Sequence, residues 1–419
     1  MDFNAALDTI LGVTAGIQVG DREPPYADFP LEEHGLRYAR ARALMESEGL
    51  DVLVLTSEES IRYVSGYNSM IWAAAARWLP GALVLPVDPA GARLVVSVFD
   101  AGAARGTAWA EVDPYDDARE LPKKVLEHVR RAAGGGARIG FETAVGSAMT
   151  MPYELIQELL AGGAPHGDAW RILSAVRMVK SPAEIERLRT AAQAAAKGYS
   201  AGLAAARAGT TEEQLLCSIG ASMLANGTTS STHGLFLNAV AGADRYSLAD
   251  APGSDRALAN GDVVFVDGGG PTRGYMSDII RIAAVGEVGP RAEAWMDAAV
   301  AANATMRSAA RAGTTCSALY EAAHAVYGDA GFGESAGSLF GHGIGLEVWE
   351  RPFVRRHDDP REDVRLRPGM TVCLEPILAP IEDGALQGLF VVEDMVAITD
   401  GDADVLSEGL ERSFARIGA

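Results

Sequence analysis

The chain has 419 residues, 48% of them hydrophobic, with 56 acidic against 36 basic side chains and a formal net charge of −20. That length predicts about two to three domains, with cores large enough to need no disulfides. The acidic balance, without any lysine or arginine block, argues against a nucleic-acid partner, and no apolar run is long enough to span a bilayer. Cys217, Cys316 and Cys373 lie far apart with no CxxC pair, so a reducing cytoplasm is the expected setting. The opening MDFNAALDTILGVTAG has an acid at position 2 and no basic region, and reads as no secretory signal.

In chain order, the first 30 or so residues, ending in the turn-rich REPPYADFP, are expected to be irregular. LEEHGLRYARARALMESEGLD predicts an amphipathic helix closed by Gly49, and DVLVLTS a buried strand. GALVLPVDPAGARLVVSV predicts a hairpin turning at Asp88-Pro89-Ala90-Gly91. ELPKKVLEHVRRAAGGGARIGFE predicts a helix, a glycine turn and another strand. This alternation predicts a first α/β domain over residues 1–172 and a second domain over 173–419. The second opens on a helix for which Ser181 is the N-cap, Pro182 the first residue and Glu184 the capping-box acid. AARAGTT occurs at 205–211 and again at 309–315, each time between two helices, which favours a duplicated half-domain. Duplicated domains often place their site where the halves meet.

GDVVFVDGGGPTRGYMSDIIRIAAVG (261–286) reads as a hairpin that brings Asp267 near Asp278. Each aspartate interrupts an apolar run, and a buried carboxylate is costly unless paired or bound to a cation. Adjacent buried carboxylates repel, a conflict that a divalent ion resolves. Glu375 follows the strand MTVCLE, Glu393 sits in GLFVVEDMVAIT, and His342 stands in GHGIGLEVWERP (341–352). Gly341, Gly343 and Gly345 are expected to let backbone approach the ion while the imidazole projects. Four carboxylates with one imidazole suit Mn, Co, Fe or Zn, and bridging carboxylates can hold two ions. Taken singly, Asp267 reads equally well as a turn former, each glutamate as a strand-edge residue and His342 as an ordinary core or surface histidine. Five such residues, each on a strand or glycine turn, favour the metal site.

DGGGPTRGYMSDIIR is similar to the DxGxxxxGYxSDxTR signature of the creatinase/prolidase/aminopeptidase P superfamily, the M24-like metallopeptidases. GHGIGLEVWERP resembles its GHGIGLxxHExP segment, CLEP its xxEP, and VVEDMVAIT its xxEDxVxVT; VKSPAEIERLR resembles its interdomain segment. The resemblance runs over roughly residues 30–419. It implies a creatinase-like N-terminal domain followed by a pita-bread domain of pseudo-two-fold duplicated halves, an α/β (α+β) architecture. It further implies a homodimer in which the small domain caps the neighbour's cleft. By the same resemblance Asp267, Asp278, His342, Glu375 and Glu393 bind two divalent ions, manganese first and cobalt, zinc or iron as alternatives. A metal-bridging hydroxide would then be the nucleophile and Glu375 the general base. The expected substrate is a small molecule or short peptide, with Xaa-Pro peptidases the nearest named activity.

The sequence departs from the peptidases at two histidines. Trp349 stands where one belongs, and the other, at about Ala249, is missing, since no histidine lies between His233 and His324. An indole donates a hydrogen bond but exchanges no proton near neutrality. Trp349 instead offers an apolar wall or a face for a cationic substrate, and reads equally as a core tryptophan. His233 is the first candidate for a substitute proton carrier, ahead of His357 in VRRHDDP. Three alternatives follow from the missing histidines: a metal-dependent lyase similar to dimethylsulfoniopropionate lyase, a hydrolase of a small cationic metabolite, or a metal-binding pseudoenzyme. Creatinase-like amidinohydrolysis fits less well, because creatinases dispense with ligands kept here. GESAG (333–337) matches the G-x-S-x-G nucleophile elbow around Ser335, but the pattern before it is helical where an elbow needs a strand. GHGIG lacks the spacing of a dinucleotide loop, and no P-loop lysine motif occurs.

Overall fold

The computed structural model describes residues 1–70, 75–147, 150–162, 165–229, 234–249 and 251–418, and contacts divide the chain into two units, Met1–Arg177 and Met178–Ala419. In the first, the strand Val52–Leu55 pairs antiparallel with Ala82–Pro86 and parallel with Ile139–Phe141. They belong to a six-stranded mixed sheet. The helix Leu121–Ala133 puts Leu121, Val125 and Val129 on one stripe and packs them against Val52, Val54, Val84 and Val95. Pro89–Gly91 makes the hairpin turn, and Gly49 ends the Leu31–Glu48 helix at φ 66°, a conformation glycine adopts without strain.

The opening residues differ from expectation. They form a helix, Phe3–Gly12, capped by Asp2, whose side chain accepts from the Asn4 N–H at 2.9 Å. Phe3, Leu7 and Ile10 recur at helical spacing and are fully buried. The turn residues of REPPYADFP lie downstream and do not govern this apolar stripe.

The second unit repeats one plan. In its first half, the helices Pro182–Ala205 and Glu212–Ala225 share a core with the strands Phe236–Ala241, Val263–Gly269 and Ile279–Val285. In its second half, the helices Pro290–Ala309 and Cys316–Asp329 accompany a five-stranded sheet that includes Gly341–Gly343, Glu350–Phe353, Thr371–Leu374 and Asp394–Ala397. The two AARAGTT copies do the same local work. Thr211 and Thr315 each accept a hydrogen bond at 3.2 Å, from the N–H groups of Gln214 and Ala318, and so start the second helix of each pair. Ser181 and Glu184 form the expected capping box. Among the described residues, no helix is long and apolar enough to cross a membrane.

Candidate metal centre

Each half contributes one pair of strands. Val263–Gly269 and Ile279–Val285 are antiparallel, with Asp267 opposite Ile280 and Asp278 just before the second strand. The Tyr199 hydroxyl lies 2.7 Å from the Ile279 carbonyl and 3.1 Å from that of Gly268, tying a helix to both strands beside the aspartates. In the other half, His342 pairs with Cys373 and Leu374 with Asp394. Glu375 and Glu393 therefore leave adjoining strand ends. Asn303 fixes those ends: its Nδ2 donates to the Leu374 carbonyl at 3.1 Å and to the Val392 carbonyl at 2.9 Å.

The structure brings the sequence-predicted residues together. His342 Nε2 lies 3.5 Å from Glu375 Oε1 and 3.7 Å from Asp278 Oδ2. His342 Nδ1 is 3.0 Å from the Gly343 carbonyl, so it carries the proton and Nε2 turns its lone pair toward the carboxyls. Burial lowers the imidazole pKa to about 4, so it is neutral at pH 7. Burial first, then Asp267, raises the Glu375 pKa to about 8. Burial and the neighbouring acids hold Asp278 and Glu393 far above the usual carboxylate range, and Asp267 acts on both. Asp278 Oδ1 has no hydrogen-bond partner, and the Glu393 carboxyl meets no cation and only the weakly donating Cys373 thiol.

The next residue shows what a satisfied buried acid looks like. Asp394 is as buried as Glu393, but accepts from Arg281 at 2.8 Å, Arg412 at 2.6 Å and Ser407 at 3.0 Å. Burial alone would raise its pKa, yet the two guanidiniums outweigh it and the net shift is downward. One acid has its cations in the protein; its neighbour has none. That contrast fits Asp267, Asp278, His342, Glu375 and Glu393 to divalent cations, which would neutralise the cluster and fill its open acceptor positions.

Sequence reasoning missed a further donor. Ligand atoms of Asp278, His342, Cys373 and Glu393 all lie within 4.8 Å of one another, and all four residues are buried. Strand period could have found Cys373, which stands two residues before Glu375 and so faces the same side.

The glycines serve a different purpose from the expected one. A Cβ at Gly341 would sit 2.1 Å from the Cys373 carbonyl oxygen, one at Gly343 2.1 Å from that of Arg351, and one at Gly345 2.7 Å from the Glu350 carboxylate. Close approach of strands and of Glu350, rather than of an ion, demands them. Gly343→Ala is therefore expected to destabilise the protein by about 2–3 kcal/mol and to displace His342. Denaturant melts with metal analysis check this; wild-type stability would refute it.

Trp349 is 57% exposed, not a core residue. Its ring stacks on His342 with centroids 5.0 Å apart and meets Phe353 edge-on at 6.2 Å. With Tyr320, Leu339, Phe353 and Arg355 it lines a cleft of about 500 Å³. His357 is half-buried, with Nε2 held 2.9 Å from the Phe353 carbonyl. Ala249 is half-buried, and its carbonyl accepts from the Asn238 side chain. His233 lies outside the described residues. Ser335 ends a single turn, Gly333–Ser335, that follows the helix Cys316–Asp329, which is not the strand-to-helix setting of a nucleophile elbow.

Residues 186–400 match the family described as metallopeptidase family M24, and residues 37–179 the creatinase/prolidase N-terminal domain. The chain is 30% identical over 384 residues to the probable dipeptidase PepE of Mycobacterium tuberculosis, covering 90% of this chain and 94% of that protein. It is 24% identical over 366 residues to the Xaa-Pro dipeptidase of Pyrococcus horikoshii, covering 87% of this chain and 94% of that one. The crystal structure of dipeptidase PepE from Mycobacterium ulcerans matches with a TM-score of 0.79 at 25% identity, over 93% of this chain and 100% of that one.

Proposed function

This chain belongs to metallopeptidase family M24, with a creatinase-like N-terminal domain ahead of a pita-bread domain, and on that premise we propose that it is a dinuclear-metal hydrolase of small peptides, cleaving an Xaa-Pro or similar amide bond. The observation that carries the reading is the convergence of the buried acids Asp278, Glu375 and Glu393 on His342, with Asp278 Oδ1 meeting no donor. Names of relatives as dipeptidases and Xaa-Pro dipeptidases support the substrate class.

In this reading Asp267, Asp278, His342, Glu375 and Glu393 hold two divalent ions, with manganese the first to test. The ions, when bound, would polarise the scissile carbonyl and make water a better nucleophile at neutral pH. Glu375 takes the proton of the attacking water and returns it to the leaving amine. His342, neutral and oriented by the Gly343 carbonyl, contributes a lone pair rather than a proton. Trp349 forms an apolar wall of the substrate cleft and keeps water off the His342 ring. Its indole cannot shuttle a proton, so His233 is assigned that task. We place the enzyme in the cytoplasm as a homodimer; its three free thiols favour a reducing setting.

Manganese-loaded protein is expected to cleave a panel of Xaa-Pro dipeptides and longer Xaa-Pro peptides, and EDTA to stop it. A fully metallated protein that cleaves none of them sinks the Xaa-Pro assignment and points to other small amides. Trp349→His is expected to raise kcat/KM for Xaa-Pro cleavage about 10–100-fold by restoring a proton-exchanging group. A variant with intact metal content and no gain would show that the cleft has diverged beyond this one position.

A further inference from the structure

We propose that Cys373 is a direct metal ligand, so that one position of the centre is a mixed oxygen, nitrogen and sulfur site. This rests on the metal-centre reading above and adds to it.

The register carries the argument. Cys373 lies directly opposite His342 on one neighbouring strand and Met395 on the other. Glu375 follows it by two residues, and Glu393 precedes Met395 by two, so all these side chains share one face. Cys373 is at the middle of that face and completely buried. Metal bonds of ~2.0–2.3 Å to oxygen, nitrogen and sulfur put the ligand atoms of one ion no more than roughly 4.5 Å apart. The 4.8 Å limit on the Asp278, His342, Cys373 and Glu393 donors fits four groups converging on one ion, before the small contraction that binding brings.

A second observation points at the same spot. Asp278 Oδ1 is buried without a partner, Glu393 has the Cys373 thiol beside its carboxyl, and all belong to that cluster. Among the described residues the remaining cysteines have no such company: Cys217 is exposed, and Cys316 is the buried first residue of the helix Cys316–Asp329 elsewhere in the unit. On coordination the sulfur–metal bond forms and the thiol proton leaves to solvent. A thiolate among carboxylates shifts preference from manganese toward softer ions, zinc or cobalt, at this position.

Cobalt-substituted full-length protein tests this by absorption spectroscopy, with bound cobalt counted by mass spectrometry. The expected result is a thiolate-to-cobalt charge-transfer band in the near ultraviolet. It should be lost in Cys373→Ser and kept in Cys217→Ser, with visible cobalt bands present in all three. Visible bands with no charge-transfer band in the unaltered protein would overturn the proposal while leaving the metal centre intact. So would a band that survives Cys373→Ser or disappears with Cys217→Ser. Protein that takes up no cobalt at all would overturn both this proposal and the metal-centre reading. Should Cys373→Ser fail to fold, the spectrum of the unaltered protein still decides.

Discussion

Asp278→Asn is expected to make the metal-free protein more stable while removing its metal binding and its activity. The carboxyl is buried beside Asp267, Glu375 and Glu393, and its Oδ1 has no partner. Without an ion, the ionised form would gain only the Ile279 N–H and face three acids, so burial and those neighbours keep the carboxyl protonated far above its usual range. The amide has the same shape, bears no charge and can donate to a neighbouring carboxylate. At pH 8 the substitution should raise the unfolding free energy of metal-free protein, because asparagine needs neither a retained proton nor a charge among the acids. The same change removes a central anionic donor, so both ions should be lost or weakly held and hydrolysis should fall to background. Denaturant melts in EDTA, alongside metal analysis after equilibration with manganese, read both effects. Retention of two tightly bound ions by the variant would reject Asp278 as a ligand.

Metal-free protein is also expected to lose stability as pH rises from about 5 to 8, and manganese to reverse the trend. The sign follows from the raised folded-state pKa values of Asp278, Glu375 and Glu393. Well below the ordinary values of 3.8 for Asp and 4.5 for Glu, both folded and unfolded chains hold these protons, and folding carries no penalty. Above them, the unfolded chain ionises while the folded one stays protonated, so stability falls as pH rises. For Glu375 the loss ends near pH 8, where its folded form ionises as well. Divalent ions bind the deprotonated carboxylates, so their stabilisation grows with pH and with ion concentration. Melts across this range with and without manganese measure the two slopes. A flat or rising metal-free profile would contradict the cause assigned to these shifts. The Asp278→Asn variant should show a shallower one.

Much of the architecture was legible because it is written in local signals. The Ser181–Glu184 capping box, the Asp88–Gly91 turn, the VLVL strand and the two AARAGTT caps each depend on neighbours a few residues away. The Phe3–Gly12 helix was equally local, and was lost because the turn residues after it coloured the whole segment. The acids of the site stood out because each breaks an apolar run. What sequence could not separate was Glu393 from Asp394. They are adjacent and alike, and only the arrival of Arg281 and Arg412 from distant segments makes one a paired structural acid and the other a bare one. The exposure of Trp349 and the central place of Cys373 likewise depend on pairings between strands. The glycines of GHGIG were visible, but their reason was not: they admit neighbouring backbone carbonyls and the Glu350 carboxylate.

The Asn303 clamp bears on how quickly ions come and go. One amide grips the carbonyls that precede both Glu375 and Glu393, so the gap between these residues is set by main chain and does not depend on an ion to hold it. A cage propped open in this way has no folding step to complete before it captures its occupant. Exchange should then be governed by shedding of the ion's own hydration shell and by escape from the acids, and chelators should empty the centre while leaving a chain ready to be refilled.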